Sequence, residues 1–257
     1  MNDYNIRDLE LAGVKWELAD VPFVLRAKWN GAQNTQTQTT TTPNVHAGLQ
    51  HVTVVPPISP IETVSVDTAI SMASRPGDLD NLIRMIGEFN HPLRSVATKT
   101  VFPNIAKNPN GLVVITDVPG ADDDASGCVL SGGAGELFDK MLSAIGMSRD
   151  NVSIVPIVFW RTPGGRTPTA DELALTRPFL NRILEFLSPK MILTLGATPA
   201  MEIAGIQLAH AHGRVSVTES GTTVMSIYHP NYLMLKPSAK RDAWTALQEL
   251  QKMLKNQ

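Results

Sequence analysis

Residues 112–135 read LVVITDVPGADDDASGCVLSGGAG, and the fold is decided in this stretch. Its opening, Leu112-Val113-Val114-Ile115-Thr116, is a β-branched run without polar alternation, the pattern of a strand buried on both faces. The run breaks at Pro119-Gly120 into a loop with three consecutive acids, Asp122, Asp123 and Asp124. It closes on Gly132-Gly133-Ala134-Gly135. Leu137, Phe138, Met141, Leu142 and Ile145 then recur at helical spacing, ended by Gly146. A strand that runs into a glycine-rich loop and then a helix builds a site at the carboxyl edge of an α/β sheet. Glycines let backbone amides approach a ligand, and the acids can orient a water or a cation. A tight turn with no ligand uses the same residues, so other loops must converge on this one to make a site.

Working outward, the alternation continues. Val152–Trp160 is a second apolar strand, interrupted by Pro156. Thr169 with Glu172 forms a capping box for a helix carrying Phe179, Leu180, Ile183, Leu184 and Leu187. Met191–Leu195 is a third strand, running into Gly196 and a short helix to Ala204. Val215–Val217 and Thr223–Tyr228 read as strands, and Asp242–Leu254 as a helix burying Trp244, Leu247, Leu250 and Leu254. Upstream, Asp67–Ala73 and Asp78–Phe89 read as helices, the second capped by Asp78. Strands alternating with helices predict an α/β fold, a three-layer α/β/α domain around a central, mostly parallel sheet. That domain is assigned to residues 63–257. Before it, residues 30–62 are rich in Thr, Gln and Pro, have no apolar period and read as a flexible linker. Residues 1–29 form an N-terminal segment able to make a short helix.

Composition narrows the function classes. With 43% hydrophobic residues in 257, the chain can bury a sizeable core. A formal net charge of −2 excludes a purely electrostatic nucleic-acid binder but leaves room for a local basic rim. Cys128 is the single cysteine, too few for a disulfide framework, a zinc knuckle or an iron–sulfur cluster. No apolar run approaches a membrane span, and no basic-then-apolar leader opens the chain. These features predict a cytoplasmic monomer with no cofactor, no metal and no membrane partner.

Four loops should meet at the carboxyl edge. They are Asp117–Gly135, Arg161–Arg166, the turn after Gly196, and Tyr228-His229-Pro230-Asn231-Tyr232-Leu233. A histidine fixed by a following proline directly after a buried strand is well placed to act there. The same His229 could equally serve only to hydrogen-bond the backbone. His46, His51, His91, His210 and His212 have no metal-ligand spacing. Lys236, Lys240 and Arg241 follow the His-Pro turn and are either a solvated face or a grip on phosphates.

Taken together, the segment from about His91 to Leu254 resembles the uracil-DNA glycosylase superfamily, specifically family 4 in its alphaproteobacterial form. Five blocks carry the resemblance in order and spacing: DVPGADDDASG, GGAGELFDKMLSAIGMSRDNV, FWRTPGGRTPTADELALTRPFL, PKMILTLGATPA and YHPNYLMLKPSAKRDAW. It implies hydrolysis of a deoxyuridine N-glycosidic bond in DNA, with the nucleotide flipped out of the stack. By the same resemblance, His229 stabilises the departing base, Asp117 stands at the motif glutamate, and Asp123 is the loop acid that serves the water or the pocket wall. Val118, Pro119 and Gly120 border the base, and DNA contacts are expected from Arg161, Arg166, Asn231, Lys236 and Lys240. The chain departs from the family at telling places. The phenylalanine that stacks on uracil falls at Leu130, and the asparagine that reads its edge falls at Pro156. Three cluster cysteines fall at His91, Trp160 and Thr176. Three functions follow: a repair glycosylase of uracil or another damaged base, an inactive relative that binds DNA or a partner protein, or a small-nucleotide hydrolase that uses the acidic loop with a metal.

Overall fold

The computed structural model describes residues 64–218 and 220–256, together with the backbone of two short strands near the N-terminus. Those strands, β1 (Lys15–Leu18) and β2 (Leu25–Lys28), pair antiparallel with Lys15 opposite Lys28 and Leu18 opposite Leu25. At these positions strand stands where a short helix was expected within residues 1–29, and the rest of that segment lies outside the described residues. Pro22 lies between the two strands, and a proline lacks the N–H that a helix interior requires. The 30–62 linker lies outside the described residues. The chain divides into one unit at Met1–Pro57 and a second at Ile58–Gln257.

In the second unit a five-stranded sheet runs in the order β4 (Ser153–Pro156), β3 (Leu112–Thr116), β5 (Met191–Leu195), β7 (Thr223–Ile227), β6 (Val215–Val217). Every neighbouring pair is parallel except β6 with β7. Alternate residues of β3 enter two different cores, which makes the domain three-layered. Val113 and Ile115 pack with Leu82, Ile86, Phe89, Phe179 and Ile183. These come from α2 (Leu79–Glu88), the loop after it and α5 (Ala170–Leu187), while α1 (Val66–Ser74) adds Ala69 and Ala73 to the same layer. Leu112 and Val114 pack on the opposite face with Phe138 and Leu142 of α4 (Gly132–Ala144) and Leu247 and Leu250 of α9 (Lys240–Lys255). Burial of this kind stabilises by about 25 cal/mol per Å² of apolar surface. It also forces the central strands to be apolar on both faces, which is why Val113–Ile115 reads as one unbroken run.

Two local expectations change. The second strand is four residues long and ends at Pro156, not at Trp160. Proline offers no amide to extend the ladder. The chain then turns inward, where Ile157 N–H donates to the Thr116 carbonyl at 2.9 Å and Phe159 and Trp160 drop into the core. The acidic loop is not all loop, for it contains α3 (Ala121–Ser126). The capping box at Thr169 is present as expected, with Glu172 N–H on Thr169 Oγ1 at 3.2 Å and Thr169 N–H on Glu172 Oε2 at 2.8 Å.

Candidate active site

Parallel strands end on one edge, and β3, β5 and β7 deliver three loops there together. Thr116, the last residue of β3, lies in register between Pro156 of β4 and Leu195 of β5. β7 ends at Ile227, opposite Leu195, and two residues later the chain reaches His229. After α6 (Ala197–Ala204) and α7 (Leu208–Ala211), His229 is the N-cap of α8 (Pro230–Leu235), and its Nδ1 accepts the Asn231 N–H at 3.2 Å. With Nδ1 an acceptor, the neutral ring carries its proton on Nε2. That nitrogen sits 3.1 Å from Thr116 Oγ1, which is buried. The imidazole is thus held at both nitrogens, with one N–H aimed at the end of β3.

Burial pushes the His229 imidazole below its ordinary value of 6.5, more strongly than the negative charges of Asp117 and Asp123 push it up. The ring is neutral at pH 7, a donor without a full positive charge. Both carboxylates act on it, so Asp117, Asp123 and His229 do share one neighbourhood. Burial lowers His91 and His212 in the same direction. Below pH 6.5 the unfolded chain therefore takes up protons that the folded chain refuses, and stability falls on acidification. Glu172 is held at about 2 by its hydrogen bond to Arg166, so its contribution persists above 4.5 and is lost only in strong acid. Urea midpoints should accordingly drop between about pH 7.5 and pH 5.5, and equal midpoints would contradict the burial of these histidines.

The two acids differ in what they have left to offer. Asp123 Oδ2 accepts the Gly120 N–H at 2.8 Å and its Oδ1 accepts the Ser131 N–H at 2.6 Å. It braces the two ends of the acidic loop, and its carboxylate is occupied by backbone. Asp117 Oδ1 accepts the Val118 N–H at 2.9 Å, while its Oδ2 lies against Gly196. Gly196 has φ +108°, and a Cβ there would lie 2.5 Å from Asp117 Oδ2. Among the described residues Oδ2 has no hydrogen-bond donor, and a side chain at 196 would push the carboxylate out of this position.

Other candidates fall elsewhere. The Arg166 guanidinium is paired with Glu172, Nη1 to Oε2 at 2.7 Å and Nη2 to Oε1 at 2.5 Å, so it ties its loop to α5. Asn231 and Lys236 are exposed, the first in the opening turn of α8 and the second just past its end. Lys240 instead lines a cleft of about 220 Å³ with Leu137, Met141 and Trp244, between α4 and α9. Arg161 is half-buried, and its positive charge is the smallest of the influences that lower the Asp124 carboxyl. Pro119 is buried and Val118 packs on the core of the α5 face. Leu130 is 2% exposed, sits at φ +51° and joins the core with Val114 and Phe138. Arg149 pins this strained turn by donating to the Val129 and Leu130 carbonyls at 2.8 and 2.6 Å, a role its sequence context did not suggest. Thr116 and Gly196 also belong to this edge; a polar residue closing an apolar strand is the one sequence signal for the first. A larger groove of about 680 Å³ between α1 and α5 is lined by Ile70, Leu173 and paired charges such as Arg177 with Glu202, and holds no histidine or aspartate. Among the described residues no group of three or more His, Cys, Asp or Glu is placed to hold a metal ion. No helix among them is long and apolar enough to cross a membrane.

Residues 102–251, more than half of the chain, match the family model described as the uracil DNA glycosylase superfamily. The chain belongs to the uracil-DNA glycosylase superfamily. It is 30% identical over 155 residues to a type-4 uracil-DNA glycosylase of Archaeoglobus fulgidus, covering 56% of this chain and 78% of that protein. To the type-4 enzyme of Pyrobaculum aerophilum it is 28% identical over 153 residues, covering 55% and 77%. To that of Thermotoga maritima it is 31% identical over 126 residues, covering 48% and 66%.

For this member of the superfamily, the three positions matched above to cluster cysteines are indeed neighbours. His91 stacks on Trp160 with ring centroids 4.8 Å apart and planes 12° apart. His91 Nε2 and Thr176 Oγ1 both reach the Glu172 carbonyl, at 3.1 and 2.8 Å. No thiolate is available there, since Cys128 is exposed in the acidic loop. These residues do not fit an iron–sulfur cluster. Aromatic stacking and hydrogen bonds fill the space, and through Glu172 and Arg166 they hold the 161–169 loop.

Proposed function

We propose that the protein is a DNA-repair glycosylase that hydrolyses the N-glycosidic bond of deoxyuridine or a related damaged nucleotide. The observation that carries this is the neutral His229, its Nε2–H on Thr116 Oγ1 at the end of β3 and its ring within the influence of the Asp117 carboxylate, in a member of the uracil-DNA glycosylase superfamily. As the C1′–N1 bond breaks, its electron pair leaves with the base and an oxocarbenium-like sugar remains. His229 Nε2–H exchanges Thr116 Oγ1 for the oxygen on which the base's negative charge collects. A preorganised donor in a buried site is worth more there than in water. Asp117 Oδ2 holds the water on the other side of the sugar and accepts its proton as the new C1′–O bond forms. The nucleotide must first leave the stack, since neither group could reach it inside a duplex.

Selectivity should be broader than a uracil-only pocket allows. Pro156 ends β4 next to Thr116, where its ring supplies neither a side-chain amide nor an N–H. Leu130 is committed to the core and supplies no flat ring to the base. A site that lacks the polar partner for a base edge loses much of its discrimination. The same two residues favour a second reading, an inactive relative that binds DNA or a partner protein. Single-turnover assays on oligonucleotides carrying uracil, hypoxanthine or xanthine, with cytosine and thymine controls, separate the two. Release of uracil with incomplete rejection of the other bases supports the enzyme; intact strands of every kind would overturn it.

The Asp117 assignment has its own test. Gly196→Ala should displace the carboxylate and slow base release by about 10²-fold, the typical effect of a 1 Å misplacement. An unchanged rate would remove Asp117 from the mechanism.

A further inference from the structure

The helix pair α4 and α9 encloses a cleft to which the excision chemistry assigns no task. It holds about 220 Å³, between Leu137 and Met141 of α4 and Trp244 and Leu247 of α9. The helical spacing of α9 predicts a buried Trp244, yet the indole is 41% exposed. The buried stripe of that helix is Ala243, Ala246, Leu247 and Leu250, which leaves Trp244 at its margin and open to the cleft. Two cations stand in the same lining. Lys140 comes from α4 and Lys240 from α9, and both are exposed. Among the described residues no carboxylate pairs with either ammonium, and no acid lines the cleft.

An apolar hollow between two unpaired cations selects its occupant by chemistry. The hollow is smaller than the ~300–1,000 Å³ of small-molecule sites, but it takes one bulky side chain. Tryptophan and methionine walls are typical of protein interfaces. An ammonium on each helix calls for a carboxylate on each side of the inserted group. We propose that this cleft docks an acidic peptide segment of a partner protein. One aromatic or large aliphatic side chain enters beside Trp244, and flanking Asp or Glu residues face Lys140 and Lys240. A second copy of this chain does not suit the cleft, because a two-fold contact would set the lysines against themselves. The cleft also lies apart from the edge that carries His229. α4 takes the chain from the carboxyl edge of β3 back toward the start of β4, and Lys140 lies about 12 Å along it from Gly132. A contact this small makes a transient complex. Docking needs no base excision, so it stands or falls separately from the glycosylase reading.

The test titrates full-length protein into a fluorescein-labelled peptide, Asp-Glu-Asp-Phe-Asp-Glu-Asp, and follows anisotropy. Saturable binding at micromolar protein is expected, weakening as salt is raised. Replacing the peptide's Phe by Ser should weaken it by about tenfold, as should Trp244→Ala in the protein. Lys140→Glu, a change at an exposed position that leaves the hollow intact, should also weaken it by about tenfold. An unlabelled oligothymidylate should not displace the peptide. No saturation up to about 1 mM protein would overturn the proposal, since a cleft that weak selects nothing. So would binding that ignores the Phe replacement or both protein variants, which would reduce it to unspecific charge attraction. Displacement by the oligothymidylate would make the lysines DNA contacts instead and would equally overturn it.

Discussion

Replacing His229 with alanine is expected to slow single-turnover base release by roughly 10²–10³. DNA affinity should change little if phosphates are held, as proposed, by exposed residues such as Lys236. The size of the effect follows from the donor's setting. Its Nδ1 is held by the Asn231 amide and its Nε2–H is oriented at Thr116 Oγ1, so no energy is spent turning the ring when negative charge develops. Burial keeps the ring neutral, so the rate should be level above pH 6.5 and change only on acidification. A loss of less than about threefold would mean that the base leaves without this donor. A parallel loss of DNA binding would mean that His229 is a contact residue only.

The second large effect is on stability. Trp160→Ala should cost about 3–5 kcal/mol, because it opens a cavity where the ring has no exposed surface. The indole, at one of the cluster-cysteine positions, is held from several sides. It stacks on His91, meets Phe159 edge-on at 5.9 Å, and donates from Nε1 to Thr100 Oγ1 at 3.0 Å. Against a domain stability of about 5–15 kcal/mol this is a large fraction, and thermal unfolding should move down by on the order of 10 °C. Trp160→Phe, which keeps a ring against His91, should lose less. A Trp160→Ala protein that melts with the wild type would show that the plug carries no load.

Much of this fold is legible in the residues themselves. Val113 and Ile115 face one core and Leu112 and Val114 the other, and an apolar run of that kind has no other stable place than a central strand. Asp78 and Thr169 cap the helices they were expected to cap, since a cap is a local interaction. His229 and Asp117 come together because parallel strands end on one edge, a rule that needs no side-chain detail.

What was illegible depends on partners distant in sequence or on competition between neighbours. Asp123 looks like a free acid until Gly120 and Ser131 are seen donating to it from either end of the loop. Arg166 looks like a phosphate contact, but a carboxylate six residues on takes both of its terminal nitrogens. Pro156 marks a strand end that apolar composition alone extends to Trp160. In the N-terminal segment, Trp16 and Leu18 alternate with charged residues as a strand does, a period-two signal too short to outweigh the segment's mixed composition.

The central claim is that the edge joining Thr116, Asp117 and His229 cleaves a glycosidic bond. Its most direct test is to hold the protein in excess over an oligonucleotide with one deoxyuridine and analyse the products by mass spectrometry. The account predicts free uracil together with a strand carrying one alkali-labile abasic site, and neither product from His229→Ala on the same time scale. An intact strand from the wild type, or equal uracil release by the variant, would contradict it.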